Sequence, residues 1–598
     1  MQKNIKIYLI LFLSICLASY LWSVIHLPVI TDLNYGAEYL EKSYNKNNDV
    51  FRFVVFVIVS LAPFLYFYLY FNKSKVYSIK DFINLNQNNT IQNKNPQLFL
   101  YFLVLCCFIE FLLIDFTKYI SNIDIFHEGL WITSAFNFLK TGDFWKASYI
   151  DRGIFGNYYP YILWNYLEVS IGSVRFSNLL LLLINKILLI FLAKQISDNI
   201  NFLKIKKIIF FILLSILFLS TVSYYDQEEF VTRSPLLILF LNIFLYALNS
   251  SKRFSFSYFI LGLFSVISIL WYLDIGAYLN FLVLLILLFF FLRKDFKTIL
   301  SISSGVVIGW FIFYVLIDSQ EFSHFIFNTI NIYSTIDQIH GLIFPAPFIS
   351  GDTRATKTLL LFVIGGIFTI LICFNKNNFN TNNKIFFLTL FILSLVVFKT
   401  GLSRSDSPHI KTATGPLMIL LYSYLLYWAL DLNKFNFFET ITNNKKIIFG
   451  IIIVIIFVIN FKLYKIKDIL TAPQKIITLI KADDKKYLTE KQSEYIFLID
   501  YYKKISNNQN CIQILTDEVA LPYLLRKKTC TKFYEIWLLT PPHLQEEFIR
   551  ELKIKKPKII LTKEKTLFTP KLKLVDKYIN KEYKVHSTFK EWTFMEIK

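Results

Sequence analysis

The stretch DIFHEGLWITSAFNFLKTGDFWKASYIDRGIFGNYYPYILWNYLEVSIGSVRFSNLL runs from Asp124 to Leu180, and its reading decides the architecture. An apolar run ends just ahead of it. Asp124, His127 and Glu128 follow as a polar cluster. Apolar residues then recur at Leu130, Trp131, Ala135, Phe138 and Leu139, the spacing of a helix with one buried face. Gly142–Asp143 breaks that pattern. Residues 159–173 are aromatic and interrupted by Glu168, so they read as a helix lying in a membrane interface and not as a span. From Arg175 the chain turns apolar again. A long polar and aromatic loop is therefore held between two membrane spans.

The rest of the chain agrees. Its 598 residues are 55% hydrophobic, with a mean hydropathy of +0.49, against about 45–50% apolar in soluble domains. The excess lies in runs of about 18–24 residues, the length that crosses a hydrocarbon core of about 30 Å at 1.5 Å per residue. Spans are expected near 6–27, 51–71, 98–119, 175–198, 205–222, 234–249, 255–273, 275–292, 298–317, 357–374, 385–400, 414–431 and 446–464. The segment from Lys6 to Ile30 reads as the first span because it is too long for a signal peptide and carries no clear cleavage site. The fold class is thus an α-helical polytopic membrane protein with about thirteen spans, interfacial helices in the first large outer loop, and a small C-terminal α/β domain.

Loop charge sets the expected orientation. KIKK (204–207), KR (252–253), RK (293–294), KK (445–446) and Lys73, Lys75, Lys80 and Lys94 all fall on one side, which the positive-inside rule makes cytoplasmic. The loops 28–50, 117–174, 223–233, the turn at Asp274, 318–356 and 401–413 face the other side, and so does the tail from about 465. Lys and Arg (63) exceed Asp and Glu (42), a net +21. Cytoplasmic loops account for that charge. No basic module interleaved with aromatics points to nucleic acid.

Glu110 and Lys186 interrupt consecutive, antiparallel spans at similar depth. Each alone would cost roughly 2.5–3.5 kcal/mol near the bilayer centre, so the two are expected to pair. Of the six cysteines, Cys16, Cys106, Cys107 and Cys373 lie in apolar runs and read as small hydrophobes. Cys511 and Cys530 share the tail. Outside the cytoplasm they can bond, and two free thiols fit the sequence equally well. The tail also carries short β-like runs at CIQIL (511–515), KIILT (558–562) and WTFMEI (592–597). Helical spacing occurs at EVALPYLL (518–525) and HLQEEFIREL (543–552), the second following a helix start at Thr540–Pro541–Pro542.

The order of elements after Asp124 resembles the GT-C superfamily of membrane glycosyltransferases, which use polyprenyl-phosphate-linked sugars. In that pattern a carboxylate pair follows a span, then an interfacial helix, a Gly-Asp-Trp-like turn, and a second interfacial helix with Pro and aromatics. His127–Glu128, Gly142–Asp143–Phe144, and Tyr159–Pro160–Tyr161 with Trp164 hold those places. The resemblance is firmest over 98–200 and is nearest to bacterial members with a His-Glu-Gly form of the motif. It divides the chain into 1–97, two extra spans and a cytoplasmic loop; 98–464, the catalytic membrane domain; and 465–598, a periplasmic domain. One position departs from the pattern: His127 stands where the first carboxylate is usual. The base that takes the acceptor's proton is then Glu128, His127 or Asp124. Helix capping by Asp124 or Glu128 is the ordinary alternative.

Two further loops carry chemistry. YYDQEEFVTRSP (224–235) crowds Asp226, Glu228, Glu229 and Arg233 at the mouth of a span. The resemblance implies that an acid here, Asp226 or Glu229, assists at the active site or binds a metal; no cofactor is assigned, and a divalent cation is left open. KTGLSRSDSPHIKTATGP (399–416) sets Arg404, Asp406, His409 and Lys411 within eight residues. A lipid phosphate needs cationic donors at that depth, so Arg404, His409 and Lys411 are assigned to it, with Asp406 orienting Arg404 or His409. Arg152 and Arg233 join them as substrate-binding candidates. The loop 318–356, with His324, His340, Asp352 and Arg354, is expected to act as a mobile lid.

The expected function is transfer of a sugar from a polyprenyl-phosphate donor to a lipid or glycan acceptor of the cell envelope, at the periplasmic face of a bacterial inner membrane. Membrane lipids are then the other partner. The inverting outcome follows from the resemblance. An O-antigen polymerase or ligase is one rival, but it would carry one dominant outer loop and no early acidic motif. A flippase or transporter is the other, and it would need polar residues along the whole membrane depth; Glu110 and Lys186 are the one hint of such a path.

Overall fold

Apolar runs become helices because a backbone in hydrocarbon must satisfy its own hydrogen bonds. A computed structural model describes residues 2–28, 45, 47–72, 77, 97–200, 202, 204–222, 233–249, 256–339, 341–375, 379–431, 466–488, 492–506, 509–563, 566 and 572–598. The first twelve expected spans each coincide with a helix: Gln2–Val24, Asn48–Phe71, Gln97–Leu112, Ile171–Asp198, Lys204–Leu217, Ser234–Asn249, Phe256–Trp271, Leu273–Leu292, Phe296–Leu316, Thr353–Phe374, Thr381–Val397 and Gly415–Asp431. The thirteenth, 446–464, lies outside the described residues. Among the described residues, seven helices, from Ile5–Val24 to Thr381–Ser403, are long and apolar enough on their own to cross a membrane. The protein is a mostly helical, multi-pass membrane protein.

The Phe296–Leu316 helix shows how the bundle holds together. Ser301, Ile302, Gly305 and Gly309 are buried, and Leu300, Val307, Phe311 and Val315 point outward. Small residues on the inner face let it approach the Phe256–Trp271 helix closely, the usual basis of helix association in lipid. Lys186 Nζ lies 2.8 Å from Glu110 Oε1, so the expected intramembrane pair forms.

Residues 159–173 do not make a span. The helix Ile154–Trp164 has 11 residues, about 16 Å of rise against a core of about 30 Å. It packs beside the helix His127–Thr141. The segment 318–356 departs from the expected loop. Most of it is a helix, Ser319–Ile339, anchored by a stripe of buried Glu321, Phe325, Asn328 and Ile332 at three- and four-residue spacing. Glu321 accepts from the N–H groups of Phe144 (3.2 Å) and Trp145 (2.8 Å). Asn328 accepts from the Ile150 N–H at 2.7 Å. These bonds hold the loop that leads to Arg152.

The tail is a five-stranded sheet in the order β2-β1-β3-β5-β4. Its strands are β1 Cys511–Leu515, β2 Lys528–Thr529, β3 Ile559–Lys563, β4 Tyr583–Phe589 and β5 Trp592–Ile597. β1 runs parallel to β2 and β3, and β5 is antiparallel to β3 and β4. Three strands sit where the β-like runs predict. HLQEEFIREL lies in the helix Pro542–Lys555. EVALPYLL keeps only one turn, Leu521–Leu524, because its start is drawn onto the first outer loop. There the Ala520 N–H donates to Ile125 O at 3.0 Å, and Thr133 Oγ1 donates to Val519 O at 2.7 Å. Cys511 and Cys530 are disulfide-bonded.

Loop and tail share one hydrophobic core. Ile123, Leu130, Trp131 and Trp164 pack in the same buried cluster as Ile512, Tyr523, Trp592 and Phe594. Two glycines show how closely they fit. A Cβ on Gly129 would stand 2.5 Å from the Ala520 backbone nitrogen, and one on Gly172 would overlap the Leu479 carbonyl. The boundary near 465 thus separates sequence segments that fold against each other.

Candidate active site

Asp124, His127 and Glu128 open the His127–Thr141 helix. Asp124 Oδ1 accepts from the Phe126 and His127 N–H groups at 3.1 and 2.8 Å, which satisfies orphan donors of the first turn. Its Oδ2 lies 2.7 Å from His127 Nδ1. Burial pushes the Asp124 carboxyl up, but the hydrogen bond and charge of His127 hold it below the usual carboxylate range. The side chains of His127 and Asp124 remain 35% and 51% exposed, open to a ligand.

Glu128 is used differently from the expectation that made it a candidate base. Its side chain is 1% exposed. Arg175 Nε donates to Oε1 at 2.8 Å and Nη2 to Oε2 at 2.7 Å, while the Asp124 N–H donates to Oε2 at 2.8 Å. Arg175 also donates to the carbonyls of Tyr119, Ser121 and Asn122. The pair ties the end of one span to the loop and to the start of the next span. Both carboxylate oxygens are engaged in it.

The third loop folds around Asp406. This residue caps the short helix Ser407–Ala413 by accepting from the His409 N–H at 3.1 Å. His409 Nδ1 lies 2.6 Å from its Oδ1, and Arg404 Nε donates to its Oδ2 at 2.8 Å. Burial pushes Asp406 up, but His409 and Arg404 outweigh it and hold the carboxyl at about 2. His409 itself is lowered, first by burial and also by the Arg404 charge. One carboxylate therefore orients both a guanidinium and an imidazole.

Arg233 immediately precedes the helix Ser234–Asn249. It donates to Tyr272 Oη at 2.9 Å, lies 4.4 Å over that ring, and stands 3.6 Å from Asp274. Arg152 stacks 5.1 Å over Trp131 and lies 3.4 Å from Asp151.

These groups converge on one cavity of about 390 Å³. His127, Arg152, Arg233, Arg404 and His409 line it, joined by Lys399 and by Asp151 and Asp274. Tyr278, Tyr333 and Trp537 supply aromatic wall, and Trp537 comes from the tail. Seven separate segments of the chain meet there, and four permanent cations face two carboxylates. Such a space suits an anionic headgroup joined to an apolar body. Lys411 is exposed and does not line it. Asp226 and Glu229 lie outside the described residues. Among the described residues no three His, Cys, Asp or Glu side chains gather in an arrangement that could hold a metal ion.

No protein-family model matches the chain, and no curated protein matches it. Among solved structures it is similar to ArnT from Cupriavidus metallidurans, in its crystal structure bound to undecaprenyl phosphate. The two share 11% identity at a TM-score of 0.43, over 84% of this chain and 98% of that one.

Sequence reasoning passed over several lining residues. Asp151 stands beside Arg152 inside the stretch that decides the fold, and Lys399 heads the loop that carries Arg404. Tyr272 and Asp274 lie where one helix gives way to the next, and nothing local in the sequence marks them as cavity-lining. Trp537 could not be found from the sequence, because only the docking of the tail brings it near.

Proposed function

We propose that the chain is an inverting glycosyltransferase of GT-C type that moves a sugar from a polyprenyl-phosphate donor to a cell-envelope glycan or lipid. The observation that carries this is the convergence of Arg152, Arg233, Lys399, Arg404, His127 and His409 on one cavity. In this reading Arg152, Arg233, Lys399 and Arg404 hold the donor phosphate, and Asp406 sets the fork of Arg404. The acceptor oxygen bonds to the anomeric carbon as the bond from that carbon to the phosphate oxygen breaks. The lipid phosphate leaves with the electron pair, and the surrounding guanidinium groups offset its charge. His127 takes the acceptor's proton at Nε2. Asp124 holds Nδ1 and steadies the imidazolium that forms, a division of labour familiar from other His–Asp pairs. Glu128 and Arg175 position this dyad.

The Cys511–Cys530 disulfide supports placing the tail, and with it this cavity, on the periplasmic face, since such bonds persist in oxidising compartments. The test is transfer from a radiolabelled polyprenyl-phosphate-linked sugar in membranes carrying His127→Ala or Arg404→Ala. Each variant is expected to lose about 100-fold or more in rate at unchanged expression and thermal midpoint. Full activity of both would overturn the reading.

A further inference from the structure

A second cavity, of about 540 Å³, lies on the far side of the Asp124–His127 pair, between the first outer loop and the tail. Its volume falls within the roughly 300–1,000 Å³ of small-molecule sites. Phe126 and His127 border both cavities. Asp124, Gln492, Tyr495, Asp517, Glu518 and Lys563 line this one.

Glu518 carries the argument. It is 5% exposed, and Lys563 Nζ donates to its Oε1 at 3.0 Å. Among the described residues its Oε2 has no hydrogen-bond partner and is buried, as is Oε1 of Gln492. A buried acceptor left unmade costs about 1–3 kcal/mol, and more when charged, so such atoms call for a donor from elsewhere. Carboxylates accept and do not donate. Lys563 does not offset them all, since Glu591 also holds it at 2.6 Å. Among the described residues, Asp124, Asp517 and Glu518 thus share this wall with Lys563, which Glu518 and Glu591 hold, and with His127, which Asp124 holds. An anionic ligand is repelled there, and one rich in hydroxyl or ammonium donors is welcome. Tyr495 and Phe126 add aromatic surface for the apolar face of a sugar ring.

The geometry points to this cavity as a binding site for a non-anionic, hydroxyl-rich sugar, which is the acceptor glycan of the transfer. Its identity as acceptor rests on the transferase reading; its binding of sugar does not. A ring seated against Glu518 extends toward His127, where a hydroxyl would meet the dyad from the side opposite the donor phosphate.

The experiment uses the full chain in nanodiscs, without donor. Binding of three trisaccharides of equal length is measured by saturation-transfer NMR: neutral maltotriose, cationic chitotriosamine and anionic trigalacturonate. Maltotriose or chitotriosamine should bind, and trigalacturonate should not. Glu518→Gln and Asp517→Asn should each weaken binding by roughly tenfold or more at an unchanged thermal midpoint. If Glu518→Gln fails to fold because Lys563 loses its partner, Asp517→Asn carries the test. Preference for trigalacturonate, no binding of any of the three, or binding indifferent to both substitutions would overturn the inference. Sugar binding without transfer would remove only the transferase reading, and transfer without sugar binding only the acceptor site.

Discussion

Glu128 and His127 are neighbours in the chain and stand in opposite surroundings. Successive residues of a helix point about 100° apart, so at the start of the His127–Thr141 helix one faces the protein and the other the cavities. Glu128 meets Arg175, 47 residues on, and both are sealed from water. Removing one partner of a buried pair leaves the other charge uncompensated, at about 3–5 kcal/mol. Glu128→Gln is therefore expected to lower the thermal midpoint and the yield of folded protein. Glu128→Gln with Arg175→Gln should recover part of that loss, which a purely catalytic Glu128 would not do. Calorimetry of the purified variants checks this. The polar cluster itself was plain in the sequence. Its division of labour was not, because the residue that claims Glu128 lies beyond the range of any local pattern.

The helices that cross the membrane were legible for a simple reason. Hydrocarbon imposes one length and one composition, and the chain writes both in its apolar runs. The Ser319–Ile339 helix obeys a different rule. Its buried stripe includes Glu321 and Asn328, so its apolar periodicity is diluted and the segment reads as a loop. Those same polar residues give the helix its purpose, since Asn328 accepts from the Ile150 N–H and donates to the Ile150 carbonyl at 2.5 Å. Ile150 is two residues from Arg152. Asn328→Leu is expected to loosen that segment and raise the KM for the lipid-linked donor several-fold. Its kcat should change less, as suits a positioning residue. Equal losses in kcat and kcat/KM would point instead to a direct part in the chemistry.

The molecule as a whole is less divisible than its sequence suggests. Charge and β-like runs mark residues 465–598 as a separate unit, and the five-stranded sheet bears out an α/β fold there. Composition does not reveal that Tyr523, Trp592 and Phe594 share a core with Leu130 and Trp131 of the first outer loop. Residues 465–598 produced alone should therefore expose that apolar surface and give poorly dispersed NMR spectra, even with the disulfide formed. A well-dispersed spectrum would show that the tail folds without the loop. The same interdependence bears on how the protein is made. Trp537 forms part of the cavity wall, yet it is synthesised well after the segments that carry Arg152, Arg233 and Arg404. A nascent chain thus holds its cationic groups around an unfinished pocket until the last stretch emerges and docks. A product that ends before Trp537 would lack that wall of the cavity.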